Sequence, residues 1–278
     1  MKHGRVNRVV RGAEIGRNCP RLDVPWARCG FARMLRELIL GYVLQPIMAI
    51  YVRRRVRGRE RFKVLKPPVI LVANHSSHLD TPTLLRALPS KWRQRTAVAA
   101  AADYFYRKRL VAYAVSLLFN TVPIHRGGGG LGKSSTEHVD RLIEERWNLL
   151  LFAEGTRSRD GRIGKMRSGA AVIASEHGMP IVPIYVKGTH EAMPPGQSWP
   201  KRMRGRFFSR RHRVEVVFGE PIRPRPGEHR SAVMERVQAF YERETGASPS
   251  GTGGSGNGSA ARAPEAPEVE RPPLSPVA

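Results

Sequence analysis

From residue 67 onward short apolar runs alternate with helix-length segments, and this alternation constrains the fold more than any other feature. The runs Val69–Ala73 (VILVA), Ala97–Ala101, Thr121–Ile124, Leu149–Ala153 (LLLFA), Ile181–Val186 (IVPIYV) and Val214–Phe218 (VEVVF) read as strands. Thr81–Leu88, Phe105–Phe119, Ser134–Asn148, Ser168–Gly178 and Arg230–Glu244 read as helices between them. Strand–helix alternation of this kind predicts an α/β fold, a central largely parallel sheet flanked by helices. Ligands of such sheets gather where strands end and helices begin.

The flanks have other compositions. Residues 1–66 carry 17 Lys/Arg against 4 Asp/Glu, so +13 of the formal net charge of +25 lies there. The sequence predicts a basic extension over 1–30, an apolar membrane-associating helical segment over 31–57, the main domain over 58–246 and a disordered tail over 247–278. The tail is Gly/Ser-rich and then Pro-rich, without the apolar content that would offset its ordering entropy. The apolar run Leu38–Val52 precedes Arg53-Arg54-Arg55. Its fifteen residues would rise about 22 Å as a helix, short of a ~30 Å hydrocarbon core. The expectation is therefore a helix lying in one leaflet with the arginines at the headgroups. Leu110–Ile124 carries the same apolar character. Two cysteines, Cys19 and Cys29, exclude a disulfide scaffold and fit a reducing compartment. No apolar run with a small-residue cleavage site follows the N-terminus as in a secretory signal.

Two strand–helix junctions hold the chemistry. After VILVA comes Asn74-His75-Ser76-Ser77-His78-Leu79-Asp80, where a turn can bring the His75 imidazole to the Asp80 carboxylate. The carboxylate would fix the tautomer and favour the imidazolium, making His75 a stronger general base. His75, His78 and Asp80 could alternatively supply two imidazoles and a carboxylate to zinc, although their spacing has no helical geometry behind it. After LLLFA come Glu154, Gly155, Thr156 and Arg157. There Gly permits a sharp turn, Thr offers a hydroxyl and Arg a fork for phosphate. A competing signal is GGGGLGKS, Gly127–Ser134, which matches the phosphate-cradling pattern of nucleotide-binding proteins. That reading requires an Asp ending a later strand to hold Mg²⁺, and LLLFA leads into Glu154 instead.

With these residues in place the sequence resembles the glycerolipid acyltransferases typified by 1-acylglycerol-3-phosphate acyltransferase. Their NHxxxxD block corresponds to Asn74–Asp80 and their FPEGTRS block to Phe152–Ser158, with Ala153 standing where the family usually has proline. A strand ending in arginine, Val122–Arg126, and the run Ile181–Thr189 match two weaker blocks. The likeness covers roughly residues 55–225.

The resemblance implies that His75, oriented and charged by Asp80, deprotonates the free hydroxyl of a lysophospholipid. The alkoxide then attacks the thioester of acyl-CoA or acyl-carrier protein, without an acyl-enzyme, metal or bound cofactor. Arg126 and Arg157 would hold the acceptor phosphate, Gly155 and Thr156 would shape its pocket, and Glu154 would position its neighbours. Another lysophospholipid or glycolipid acceptor is the nearest alternative. The resemblance also implies work at an anionic membrane surface, peripheral or monotopic, on the cytoplasmic face of the cell membrane. Net charge alone would also suit nucleic acid, but the sequence has no zinc finger, RNP motif or aromatic-interleaved basic stripe.

Overall fold

A computed structural model describes residues 24–101, 109–124, 133–203 and 210–246. Seven strands form one sheet: β1 (Val52–Arg57), β2 (Ile70–Ala73), β3 (Thr96–Ala101), β4 (Thr121–Ile124), β5 (Asn148–Phe152), β6 (Ile181–Lys187) and β7 (His212–Phe218). Their spatial order is β1-β7-β6-β2-β5-β3-β4. Every pairing is parallel except β6 with β7, so the sheet is largely parallel, as its sequence pattern requires.

Helices cover both faces, which is why the central strands are apolar without interruption. Leu71 and Ala73 of β2 face one way, into a core shared with Leu84, Leu85, Val182 and Ile184. Ile70 and Val72 face the other way, onto Ala171, Val237 and Tyr241. The covering helices include α2 (Asp80–Ala87), α5 (Gly169–Glu176) and α6 (Arg230–Thr245). The Tyr241 hydroxyl donates to the Val72 carbonyl at 2.9 Å, tying α6 to the middle of the sheet. The remaining long helices are α1 (Gly30–Tyr51), α3 (Arg109–Phe119) and α4 (Lys133–Glu144).

The apolar N-terminal segment departs from expectation in two ways. Helix α1 runs 22 residues, about 33 Å, so length alone does not prevent it from crossing a bilayer. It passes through a π turn over Ile39–Leu44 just before Pro46, whose ring nitrogen cannot donate to the preceding turn. The helix also stops at Tyr51 rather than continuing to 57. Arg53-Arg54-Arg55 follows the end of the helix directly but lies in edge strand β1, paired with β7, and not in the helix itself. The cause is visible in the sequence VRRRVR: Val52 and Val56 occupy one face of a period-two pattern, and the cationic stems are tolerated on an edge.

Candidate active site

Strands β2 and β5 are neighbours with Ala73 opposite Phe152. The two motifs therefore leave the same end of the sheet side by side, although more than seventy residues separate them in sequence. The strand pairing continues past β5, with the Ala153 amide donating to the Ala73 carbonyl at 2.8 Å. The Ser158 amide then donates to the His75 carbonyl at 2.8 Å and clamps one loop to the other. On the opposite side, the Asn74 side chain accepts from the Val186 amide at 2.7 Å and donates to its carbonyl at 2.9 Å, docking the first loop on β6.

His75 Nδ1 lies 2.9 Å from Asp80 Oδ2. The same oxygen accepts the amides of Ser76 at 2.7 Å and Ser77 at 2.8 Å. Asp80 is fully buried at the start of α2, where helix amides favour a carboxylate. A carboxylate only accepts, so in the neutral imidazole Nδ1 carries the proton and Nε2 the lone pair. The imidazole also stacks on the Phe152 ring, centroids 3.8 Å apart and planes within 18°. Two restraints at right angles thus fix the ring, and Nε2 is the nitrogen left to take a proton.

Ser77 offers no nucleophile. Its hydroxyl is buried, donates to the Met193 carbonyl at 2.7 Å and accepts from the Leu79 amide at 3.1 Å. Ser76 is also buried, its hydroxyl 3.3 Å from that of Thr189. His78, weighed as a metal ligand, turns to Arg157, with Nη1 to Nε2 at 2.7 Å. Among the described residues no three His, Cys, Asp or Glu side chains are grouped so as to hold a metal ion. Burial, then the charges of Arg157 and His75, push the His78 pKa down to about 4, so its imidazole is neutral and accepts from the guanidinium.

The second motif forms a tight turn, closed by the Gly155 amide donating to the Phe152 carbonyl at 3.0 Å. Gly155 adopts φ +71°, and a Cβ there would come within 2.7 Å of Arg167 Nε. Glu154 Oε1 accepts the His75 amide at 3.1 Å and Oε2 the Gly164 amide at 3.2 Å. Partial burial raises its pKa, opposed by those two amide donors. Thr156 is exposed, and Arg157 is half-buried beside His78. The structure therefore gathers His75, Asp80, Glu154, Gly155, Thr156 and Arg157 around one end of the sheet. Arg126 lies outside the described residues, as do Gly127–Gly132 of the phosphate-loop pattern. Asn74 and Phe152, to which sequence reasoning assigned no role, and His78, which it weighed only as a metal ligand, are neighbours of this site.

Residues 53–187 match the sequence model of the Acyltransferase family. A chloroplastic 1-acyl-sn-glycerol-3-phosphate acyltransferase of Brassica napus is 32% identical over 142 residues, covering 51% of this chain and 39% of that one. A probable 1-acyl-sn-glycerol-3-phosphate acyltransferase of Mycoplasma genitalium is 29% identical over 194 residues, 70% of this chain and 68% of that one. The chain thus spans well under half the length of some curated relatives that it matches, 39% and 44% for two plant proteins. The crystal structure of the 1-acyl-sn-glycerophosphate (LPA) acyltransferase PlsC from Thermotoga maritima shares the fold. Its TM-score is 0.51 at 24% identity, over 75% of this chain and 82% of that one. The segment that carries the His75–Asp80 pair and the Glu154–Arg157 turn is thus similar to the Acyltransferase family and to 1-acyl-sn-glycerol-3-phosphate acyltransferases, on the fold of PlsC.

Proposed function

We propose that this domain transfers a fatty acyl group from acyl-CoA or acyl-carrier protein to the free hydroxyl of 1-acylglycerol-3-phosphate, giving phosphatidate. The observation that carries the reading is His75, held through Nδ1 by Asp80 and through its face by Phe152, with Nε2 left basic. Nε2 takes the proton of the acceptor hydroxyl as its oxygen attacks the thioester carbonyl. The tetrahedral intermediate collapses with cleavage of the C–S bond, and the imidazolium returns its proton to the departing thiolate. Ester and free thiol are the products, and no step requires a metal or cofactor. Asp80 supports the imidazolium between the two transfers. Arg157, with Arg126, holds the acceptor phosphate, while Gly155 and Thr156 shape the turn and Glu154 binds the two loops together. Relatives named 1-acyl-sn-glycerol-3-phosphate acyltransferases support this acceptor.

The reaction takes place on an anionic membrane at the cytoplasmic face. Support comes from the apolar surface of α1, where Phe31, Leu38, Tyr42 and Ile50 are exposed, and from Leu110 and Val111 of α3. The opposite side of α1 packs on the domain through Ala32, Arg36, Leu40 and Met48, which favours a helix lying within one leaflet. The test is acyl-CoA-dependent conversion of lysophosphatidate to phosphatidate by the full chain in mixed micelles. His75→Ala is expected to abolish it, and undiminished turnover in that variant would remove His75 from the mechanism. Failure to sediment with anionic vesicles would remove the membrane.

A further inference from the structure

A cavity of about 200 Å³ lies where the end of α1 meets β1 and α2, beside the active-site end of the sheet. Gln45, Met48, Arg53, Arg54, Thr83 and Arg211 are among its lining residues. Three of these are arginines, and among the described residues lining the cavity none is acidic. Arg54 occupies the inward register of β1 between Val52 and Val56, half-buried where the pattern calls for an apolar residue. Its guanidinium has no hydrogen bond or ion pair with a described residue. Burial and the neighbouring charges of Arg86, Arg59 and Arg93 depress its pKa to about 10. Arg54 is thus a cation without an anion in a cationic surround.

Thr83 supplies the second, independent observation. It is fully buried on α2, one turn beyond Asp80, and its hydroxyl has no hydrogen-bond partner. Buried hydroxyls are nearly always satisfied, so an orphan at a cavity wall marks a missing acceptor. An inward charge could serve only to keep edge strand β1 from pairing with another chain. That would account for Arg54 and leave Thr83 unexplained. Phosphate oxygens satisfy both, taking guanidinium forks and a hydroxyl donor together.

We propose that this cavity binds the phosphate of an anionic phospholipid headgroup, held by Arg54 and Arg211 with the Thr83 hydroxyl donating to a phosphate oxygen. A lipid is favoured over a soluble phosphate because the apolar wall, Met48 and Val52, continues α1, whose exposed Tyr42, Val43 and Ile50 offer a surface for acyl chains. The site is separate from the acceptor subsite assigned to Arg126 and Arg157. It rests on the membrane-surface reading and not on the identity of the acyl acceptor.

Thr83→Val is the decisive variant, because it keeps shape and net charge and so leaves non-specific attraction to anionic lipid unchanged. The full chain in neutral detergent is titrated with dihexanoylphosphatidylglycerol while the melting temperature is followed. The wild type should be stabilised, and Thr83→Val should need about ten-fold more lipid for the same rise, the loss of one charge-assisted hydrogen bond. Without lipid, Thr83→Val should melt no lower than the wild type, since it removes an unpaired hydroxyl. Arg54→Gln is the second variant and should also displace the titration to higher lipid. Coincident titrations of wild type and both variants would overturn the proposal. A Thr83-dependent rise with coenzyme A or inorganic phosphate but not with lipid would overturn the headgroup assignment, as would an equal response to dihexanoylphosphatidylcholine. Sedimentation of the wild type with phosphatidylglycerol vesicles tests the membrane reading separately, and Thr83→Val should leave it unchanged.

Discussion

Asp80 meets His75 with an oxygen that is already occupied: Oδ2 accepts the Ser76 and Ser77 amides as well as Nδ1, while buried Oδ1 has no partner. The two amides position the carboxylate independently of the histidine. Asp80→Asn can keep that position, its amide oxygen accepting from the backbone, and remove only the charge that supports the imidazolium. We expect kcat to fall about 10²–10⁴-fold, the range for a lost general base or its orienting partner, with KM for the acceptor little changed. Steady-state kinetics on the purified variant check this. A KM effect without a kcat effect would make Asp80 a substrate-binding residue.

The contact between Arg157 and His78 predicts a dependence of stability on pH. His78 has its pKa lowered in the folded protein to about 4, against about 6.5 for an unperturbed histidine. Between these values the unfolded chain holds a proton that the native state does not, so folding stability falls as the pH drops from 6.5 towards 4. Above 6.5 the contribution is complete. The melting temperature should therefore fall on acidification from pH 7 to pH 5. His78→Gln, whose amide oxygen can still accept from Arg157, should flatten the slope. Parallel slopes in wild type and variant would show that other groups carry the acid response.

The central strands were legible because burial on both faces leaves an unbroken apolar run, and the two motifs because residue types as specific as His, Asp, Glu and Arg follow those runs directly. Edge strand β1 was hidden because four of its six residues are arginine, so charge outweighed the Val52–Val56 alternation. Asn74 reads as an ordinary polar residue after a strand, yet its side chain bonds to the Val186 backbone across a tertiary contact. Phe152 reads as a strand residue, and only the register Ala73 to Phe152 places its ring against His75. His78 offered a plausible metal ligand on composition, and the packing that turns it to Arg157 joins residues 79 apart in sequence. Each of these roles depends on which strands are neighbours, and spacing along the chain does not encode that.

Ala153 stands where the resembled family usually has proline, and the sequence alone suggests no more than a relaxed backbone. The structure gives it a partner: its amide donates to the Ala73 carbonyl at 2.8 Å, extending the β2–β5 pairing to the edge of the site. Ala153→Pro removes that donor and leaves a buried carbonyl short of a bond, at a cost of about 1–3 kcal/mol. We expect a lower melting temperature and reduced kcat, since the same pairing carries His75 and Glu154. Calorimetry on the variant checks the first. A melting temperature at or above the wild-type value would mean that this segment accommodates proline through a rearranged turn.

Arg36 is only 2% exposed, though it lies on the apolar helix α1. Its Nε donates to the Leu117 carbonyl at 2.6 Å, and Nη2 donates to the carbonyls of Ala27 at 2.6 Å and Ser116 at 3.1 Å. Ser116 and Leu117 are in the last turn of α3, where the helix dipole favours a cation. The guanidinium therefore fastens the two apolar helices together, next to the edge-on contact of Trp26 and Tyr113 with ring centroids 6.2 Å apart. Arg36→Leu would suit a simple membrane-facing position but here takes the guanidinium from the carbonyls of Leu117 and Ala27, while that of Ser116 keeps the Asn120 amide at 2.9 Å. We expect a loss of about 3 kcal/mol, and a melting temperature lower by about 2–4 °C per kcal/mol for a domain of this size. Arg36→Lys, with one compact ammonium in place of a fork, should fall between. Limited proteolysis should cut between α1 and the domain faster in Arg36→Leu than in wild type, because α1 then keeps only its apolar contacts and the more exposed polar ties such as Glu37 to Arg93. Equal melting temperatures and equal cleavage rates would show that α1 docks without this arginine.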